Sequence, residues 1–339
     1  MATQEELPSL PRRPLGRTGL EVSVLGFGAS PFGGAFGPID EAEAVKVVHH
    51  AFRRGINVFD TSPFYGATKS EKVLGQGLKD LPRSEIVVCT KVGRYGNRDF
   101  DFSAARVTAS VKESLERLQV PYIDVIQCHD IEFGDLDQIV SETLPALAAL
   151  KAAGLVRHVG VTGLPLAALQ YVLDRVAPGS VDTVLSYCHY CVNDTTLASV
   201  LPKWTAAGLG VFSASPLSMG LLTNAGPPDW HPAPPELRQA AQAAAAHAAS
   251  RGYNIADLAL RFAMRQPSVA STYVGLPTMA MVDVNIDTTL RALGLAPDAP
   301  PPPQAGGAGP DQVLAEVEAL LAPVKDLTWP SGRPLPTAA

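Results

Sequence analysis

The chain is poor in charge, in aromatic residues and in cysteine. Of its 339 residues, 18% are Asp, Glu, Lys or Arg and 6% are aromatic, and the formal net charge is −6. A nucleic-acid footprint needs a basic patch or stripe, and this balance offers no basic surplus to build one. The four cysteines, Cys89, Cys128, Cys188 and Cys191, are too few in so long a chain for a disulfide framework. Cys188 and Cys191 form a CxxC with His189 inside it, but no second ligand pair accompanies them, so no metal site is expected. Residues Met1 to Leu15 carry acids with scattered Pro and Arg instead of an apolar core, which reads as neither a signal peptide nor a transit peptide. No apolar run reaches the roughly 18 residues of a membrane span. The expected compartment is the reducing cytosol, and neither membrane nor nucleic acid is an expected partner.

What is present is ample apolar material, 46% of the chain, with 30 prolines and 29 glycines. That composition excludes dominant disorder. Short apolar runs at 23–28, 57–62, 86–92, 122–130, 156–163, 183–190, 210–217 and 271–277 alternate with helix-length segments at 40–54, 69–79, 103–119, 136–153, 165–176, 196–208, 235–265 and 279–292. Strict alternation predicts a parallel sheet with helices outside it. Eight such units suit an α/β fold closed as a (β/α)8 TIM barrel. Residues 12–24 read as an N-terminal β-hairpin turning at Arg17-Thr18-Gly19, placed to plug the barrel bottom. The proline-rich stretches 226–235 and 297–310 read as loops, and 311–321 as a final helix. The whole chain, 1–339, is expected to be one domain, with a core over about 12–292 and a C-terminal loop, helix and tail over 293–339.

Polar residues gather at the ends of the strands. Asp60 comes late in the second, Lys91 late in the third, and His129-Asp130 end the fourth. In a barrel these ends meet on one face, where active sites are built. Tyr65 follows Asp60 in the next loop. An unperturbed tyrosine, with a pKa of about 10, exchanges protons poorly at neutral pH, and a neighbouring ammonium lowers it. Asp60 is placed to orient Lys91, and His129 to hydrogen-bond the reacting oxygen. Such a set suits hydride transfer to or from a cofactor.

At these residues the sequence resembles the aldo-keto reductase family. The stretches that carry the likeness are LGRTGL at 15–20, NVFDTSPFYG at 57–66, CTKVG at 89–93 and QCHD at 127–130. The resemblance implies a catalytic tetrad of Asp60, Tyr65, Lys91 and His129. GNRDFDFSAARV at 96–107, CHDIEF at 128–133, LSYCHY at 185–190, SASPLSMGLLT at 213–223 and PVKDLTWPSG at 323–332 resemble the family's plant-type L-galactose dehydrogenases. They imply oxidation of L-galactose at C1 to its lactone, in ascorbate biosynthesis. The resemblance also leaves open a related aldose dehydrogenase acting on L-fucose or D-arabinose, an aldehyde reductase, or a regulatory barrel that binds cofactor without turnover.

By the same resemblance a nicotinamide dinucleotide lies across the mouth. Thr162 and Gly163 stand where relatives hold the carboxamide with Ser-Asn, and Ser186 or Leu185 where a Gln is common. Ala214 replaces a stacking aromatic, for which Tyr187 or Tyr190 could substitute. Ser215 and Leu217 match pyrophosphate contacts. After strand eight, Gly275, Thr278 and Met281 stand where NADPH-preferring relatives place cations. Asp283 adds negative charge there, and Asn285 ends the segment. A 2′-phosphate would lose charge-assisted bonds there, about 1.5–3 kcal/mol each, so the expected cofactor is NAD. Expected pocket walls are Phe32, Phe36, Tyr95, Asp130 and Trp329, with Asp130 the polar ligand for a sugar. Gly26-Phe27-Gly28 opens like a dinucleotide fingerprint, but Pro31 occupies the third glycine position. Asn193-Asp194-Thr195 matches a glycosylation sequon with no secretion signal before it, and His49-His50 is expected to be solvated. Oligomeric state is not legible.

Overall fold

The structure, a computed structural model, describes residues 9–335; the opening of the Met1–Leu15 stretch and the last four residues of the tail lie outside them. Strands β1 (Arg12–Pro14) and β2 (Glu21–Ser23) pair antiparallel, with a single 3-10 turn between them. That turn presses on the barrel floor. Gly16 has φ 53°, and a Cβ there would stand 2.3 Å from the Gly210 nitrogen. Leu15 beside it is fully buried in one cluster with Val58, Val87, Val125, Leu185, Phe212 and Tyr273. The hairpin is therefore the expected plug.

Eight parallel strands close the barrel. They are β3 (Leu25–Gly28), β4 (Val58–Asp60), β5 (Val87–Val92), β6 (Ile123–Cys128), β7 (Val156–Gly163), β8 (Thr183–Tyr187), β9 (Gly210–Ala214) and β10 (Ser271–Gly275), with β10 paired to both β9 and β3. Side chains alternate across each strand. On β5, Val87 and Cys89 enter the lumen cluster while Val88 and Val92 enter the clusters under the helices. The same alternation carries Lys91 into the lumen.

Around the strands lie α1 (Glu41–Arg53), α2 (Lys69–Leu78), α3 (Ala104–Leu118), α4 (Leu136–Gln138), α5 (Leu144–Ala152), α6 (Leu166–Leu173), α7 (Leu197–Ala206), α8 (Pro235–Ser250), α9 (Ile255–Met264), α10 (Met279–Ala292) and α11 (Pro310–Leu321). Their starts follow capping chemistry: Asp40 accepts from the Ala42 and Glu43 N–H groups, and Ser103 from Arg106. The helix expected over 136–153 contains a π-helical turn at Ile139–Thr143, just before Pro145, which has no N–H for the carbonyl four residues back. The helix expected over 235–265 is two helices. Gly252 turns left-handed at φ 77°, and the Asn254 side chain caps α9.

Beyond α10 the chain runs through α11, which packs on α8 and α9, and returns to the barrel mouth. There the Asp326 N–H donates to the Asn193 carbonyl and the Arg333 N–H to the Glu132 carbonyl. Asn193 is itself buried, which closes the sequon to modification. All four cysteines are free and buried, and no His, Cys, Asp and Glu cluster able to hold a metal occurs among the described residues. His49 and His50 are not solvated as expected. His49 bonds the Gly77 carbonyl at 3.0 Å, and His50 bonds Asp283 at 2.8 Å because α1 packs against α10.

Candidate active site

The strand ends deliver their side chains to one place. The Lys91 ammonium donates to Asp60 Oδ2 at 2.6 Å and to the Thr61 carbonyl at 2.8 Å, and both side chains are buried. Gln127 holds the other Asp60 oxygen at 3.4 Å. The ammonium lies 5.0 Å from the centre of the Tyr65 ring. Tyr65 meets the His129 ring edge-on, at 5.7 Å and 89°. Two glycines set the loop that carries Tyr65: a Cβ on Gly66 would stand 2.3 Å from the Gly33 carbonyl oxygen, and one on Gly33 2.6 Å from the Gly66 nitrogen. The backbones touch there, so the tyrosine loop lies flat on the loop after β3.

Burial works against the Lys91 charge, but Asp60 and Tyr65 more than offset it and hold the ammonium above its ordinary value. His129 is held well below its ordinary value by burial, with the Lys91 and Arg94 cations adding to the effect, so the ring is neutral. Tyr65 corrects the sequence expectation. Burial raises its hydroxyl above the ordinary value, and Lys91 pulls it down without reversing the shift, while Asp60 and Asp130 push it up.

A sequence model described as the Aldo/keto reductase family matches residues 24–293. The chain belongs to the aldo-keto reductase family. It is 56% identical over 324 residues, 94% of this chain and 97% of the other, to L-galactose dehydrogenase of Arabidopsis thaliana. It is 35% identical over 241 residues, 67% of this chain and 71% of the other, to D-arabinose 1-dehydrogenase of Saccharomyces cerevisiae. Among solved structures, a holo-form aldo-keto reductase from Bacillus halodurans superimposes with a TM-score of 0.70 at 25% identity, covering 94% of this chain and 98% of that one. The chain is accordingly an oxidoreductase of the aldo-keto reductase type, a family that uses nicotinamide cofactors on small molecules. No helix among the described residues is long and apolar enough to cross a membrane.

The rest of this aldo-keto reductase mouth fits such a cofactor. Gly28 and Gly275 leave the rim bare on adjacent strands, where a Cβ would stand 2.9 Å from the Val274 carbonyl oxygen or from Pro31 Cγ. Ser215, Ser218 and Met219 all have positive φ, at 57°, 49° and 52°. Non-glycine residues in such conformations cluster at ligand sites, and Leu217 lies between Ser215 and Ser218 in this bend. Thr162 shares the lumen parity of Gly160, and Gly163 follows it at the rim. Ser186 is different: it shares the parity of Val184, which faces the helices, while Leu185 faces the lumen. Its hydroxyl is buried with no partner among the described residues. Tyr190 stacks on Phe262 at 5.4 Å, which leaves Tyr187 as the ring available at the lumen.

At the segment expected to meet the adenosine, Asp283 does not stand free. It is ion-paired with Arg54 of α1 and bonded to His50, and Arg54 also reaches Asp287 at 3.2 Å. The Asn285 amide donates to the Met281 carbonyl, and Thr278 caps α10.

Two expected pocket walls are elsewhere. Phe32 is fully buried in a 3-10 turn, 5.5 Å from Phe27, because the loop after β3 folds back onto the core. Tyr95 is turned toward α3, under the Arg106 guanidinium at 4.0 Å, with its hydroxyl accepting the Gly93 N–H. Trp329 is buried against His231 at 5.0 Å, and Phe36 is exposed, edge-on to Trp230 at 6.1 Å. Asp130 is at the site, 3.7 Å from His129 Nε2 and ion-paired with Arg94. Arg94 was missed by the sequence reading. Its guanidinium lies 3.8 Å over the Phe64 ring, in reach of the stacked Phe100 and Phe133. A carboxylate ending an apolar strand needs a cation near it, and that was the available signal. Glu132 was missed too. It is buried, with one oxygen accepting from Leu164 N–H and Ser331 Oγ and the other unpartnered among the described residues. Burial and the nearby Asp130 raise its carboxyl to about 7.

Proposed function

We propose that this protein oxidises the C1 hydroxyl of a cyclic aldose, L-galactose foremost, to the aldonolactone with NAD, the reaction that supplies a lactone for ascorbate biosynthesis. The observation that carries the reading is the buried Asp60–Lys91 pair beneath Tyr65, with neutral His129 facing the same hydroxyl position. The high identity to the Arabidopsis enzyme over nearly the whole chain supports the sugar. When bound, the nicotinamide supplies the hydride acceptor. Tyr65 takes the proton of the C1 hydroxyl. It does so as its phenolate, whose charge Lys91, fixed by Asp60, favours before the transfer and which ends as the neutral phenol, while His129 fixes the sugar oxygen by a hydrogen bond. Arg94 and Asp130 stand beside the site with planar groups suited to vicinal hydroxyls; Arg94 Nε is buried without a partner among the described residues.

For the cofactor, the segment 274–285 carries no Lys or Arg, and Arg54 behind it is matched by two carboxylates, which supports NAD over NADP. Four free buried thiols suit a reducing cytosol, and the tail bonded to the mouth suits one working domain over 1–339. The 35% identity to the yeast enzyme favours D-arabinose as the second reading. Steady-state kcat/KM for L-galactose, L-fucose, D-arabinose and a simple aldehyde, each with NAD and NADP, decides between them. The expected maximum is L-galactose with NAD. A D-arabinose maximum supports the second reading, and cofactor binding without turnover of any of these substrates identifies a regulatory barrel.

A further inference from the structure

His129 has two ring nitrogens, and its part in the reaction depends on which one carries the proton. Nδ1 lies 3.0 Å from Ser62 Oγ. That hydroxyl already accepts the Phe64 N–H at 3.0 Å. Ser62 is fully buried, and its hydroxyl has no other hydrogen-bond partner among the described residues. If Nδ1 bore the proton, the serine would accept twice and its own proton would be stranded in the interior, which is costly. If Nδ1 is bare, the serine donates to it and each group is satisfied. The other end of the ring agrees, because Nε2 lies 3.7 Å from Asp130 Oδ2, an acceptor that favours an N–H there.

We propose that Ser62 is a positioning residue that holds His129 as the neutral Nε2–H tautomer, so that the ring donates a hydrogen bond to the reacting oxygen and leaves proton transfer to Tyr65. Phe64 contributes through its backbone: its N–H occupies one lone pair of the serine and so turns the hydroxyl proton toward the ring. The Phe64 ring packs edge-on against the same imidazole, 5.9 Å away. During oxidation the hydroxyl proton passes to the Tyr65 oxygen, while Nε2–H stays protonated and stabilises the charge growing on the sugar oxygen. The tautomer follows from the protein alone, and its catalytic consequence rests on the function proposed above.

Nitrogen NMR of the protein labelled with 15N-histidine reads the tautomer without substrate. The His129 signals are assigned by their loss in His129→Gln. The expected result near neutral pH is a pyridine-type shift at Nδ1 and a pyrrole-type shift at Nε2; the opposite pattern, or two protonated nitrogens, overturns the proposal. In Ser62→Ala the Nδ1 signal should move as its donor is lost, and kcat should fall about tenfold with KM little changed, the worth of one buried hydrogen bond. Ser62→Thr, which keeps the hydroxyl, should restore both. An alanine variant with unchanged Nδ1 shift and kcat overturns the role given to Ser62. Failure of the sugar reading would appear as absent turnover in the wild type while the tautomer signals still decide this proposal.

Discussion

Around the barrel mouth, β4 to β8 bring Asp60, Lys91, His129, Thr162 and Tyr187 to the rim, whereas β9, β10 and β3 bring Ala214, Gly275 and Gly28. The first arc buries charge and must satisfy it: Lys91 takes Asp60 and a carbonyl, Asp130 takes Arg94, and Glu132 takes Ser331 from the tail. The second arc has nothing to satisfy and lets backbone meet backbone, as where Gly28 lies against the Val274 carbonyl. Reactive groups need a dry, pre-paired setting to hold shifted pKa values, while a long ligand needs a rim without obstructing side chains. One strand end could not meet both demands. On the function proposed above, the first arc carries the proton chemistry together with the nicotinamide contacts at Thr162 and Tyr187, and the second arc carries the rest of the cofactor.

The sharpest way to break that division is Tyr65→Phe. If proton transfer belongs to the loaded arc alone, turnover should fall by about 10³-fold or more, while NAD affinity, measured by quenching of protein fluorescence, stays unchanged. Retained turnover would mean that another base acts. Because burial holds the Tyr65 hydroxyl above its ordinary value, oxidation by the wild type should quicken as pH rises into the alkaline range.

Titration sharpens the comparison further, since the loaded arc gathers the ionisable carboxyls at the mouth. Folding raises the Glu132 carboxyl to about 7, against about 4.3 in an unfolded chain. The folded protein then binds this proton more tightly than the unfolded one. Its contribution is fully present below the unfolded value and is lost as pH rises through about 7. The loss is on the order of 3 kcal/mol by pH 8. Glu132→Gln keeps the bonds to Leu164 and Ser331 and should lose this slope, so urea midpoints of the two proteins should diverge from pH 5 to pH 8. Parallel curves would mean that the carboxyl is ordinary.

The loaded arc was also the more legible one. Asp60, Lys91 and His129 could be placed from strand-end position alone, because alternation along a strand fixes which face a side chain takes. The barrel itself was legible for the same reason: eight apolar runs at regular spacing have few other ways to close. The rest depended on contacts far apart in sequence. Phe32 and Tyr95 sit in loops, where no periodicity says whether a ring turns to the core, to α3 or to the pocket. Asp283 looked free until α1 brought Arg54 and His50 against it. The direction of the Tyr65 shift depended on depth of burial, which no local pattern carries. Gly252 was visible, but inside an alanine-rich helical stretch it could be read as tolerated, and only the Asn254 cap shows that one helix ends there.

The bare arc makes its own, smaller prediction, at the far end where β10 passes into α10. Met281 is exposed on the first turn of that helix, and Thr278 caps it. Asp283, two residues on, is occupied by Arg54 and His50 and leaves a new cation at 281 uncontested. Met281→Arg should therefore gain a charge-assisted bond to a 2′-phosphate and raise kcat/KM with NADP relative to NAD by about tenfold. The KM for NAD should hardly move, because the ribose of NAD carries no charge at that position. A ratio that stays fixed would place the adenosine end away from α10 and remove the bare arc from the cofactor's path, whereas a shift confined to NADP ties the two halves of the mouth to their separate tasks.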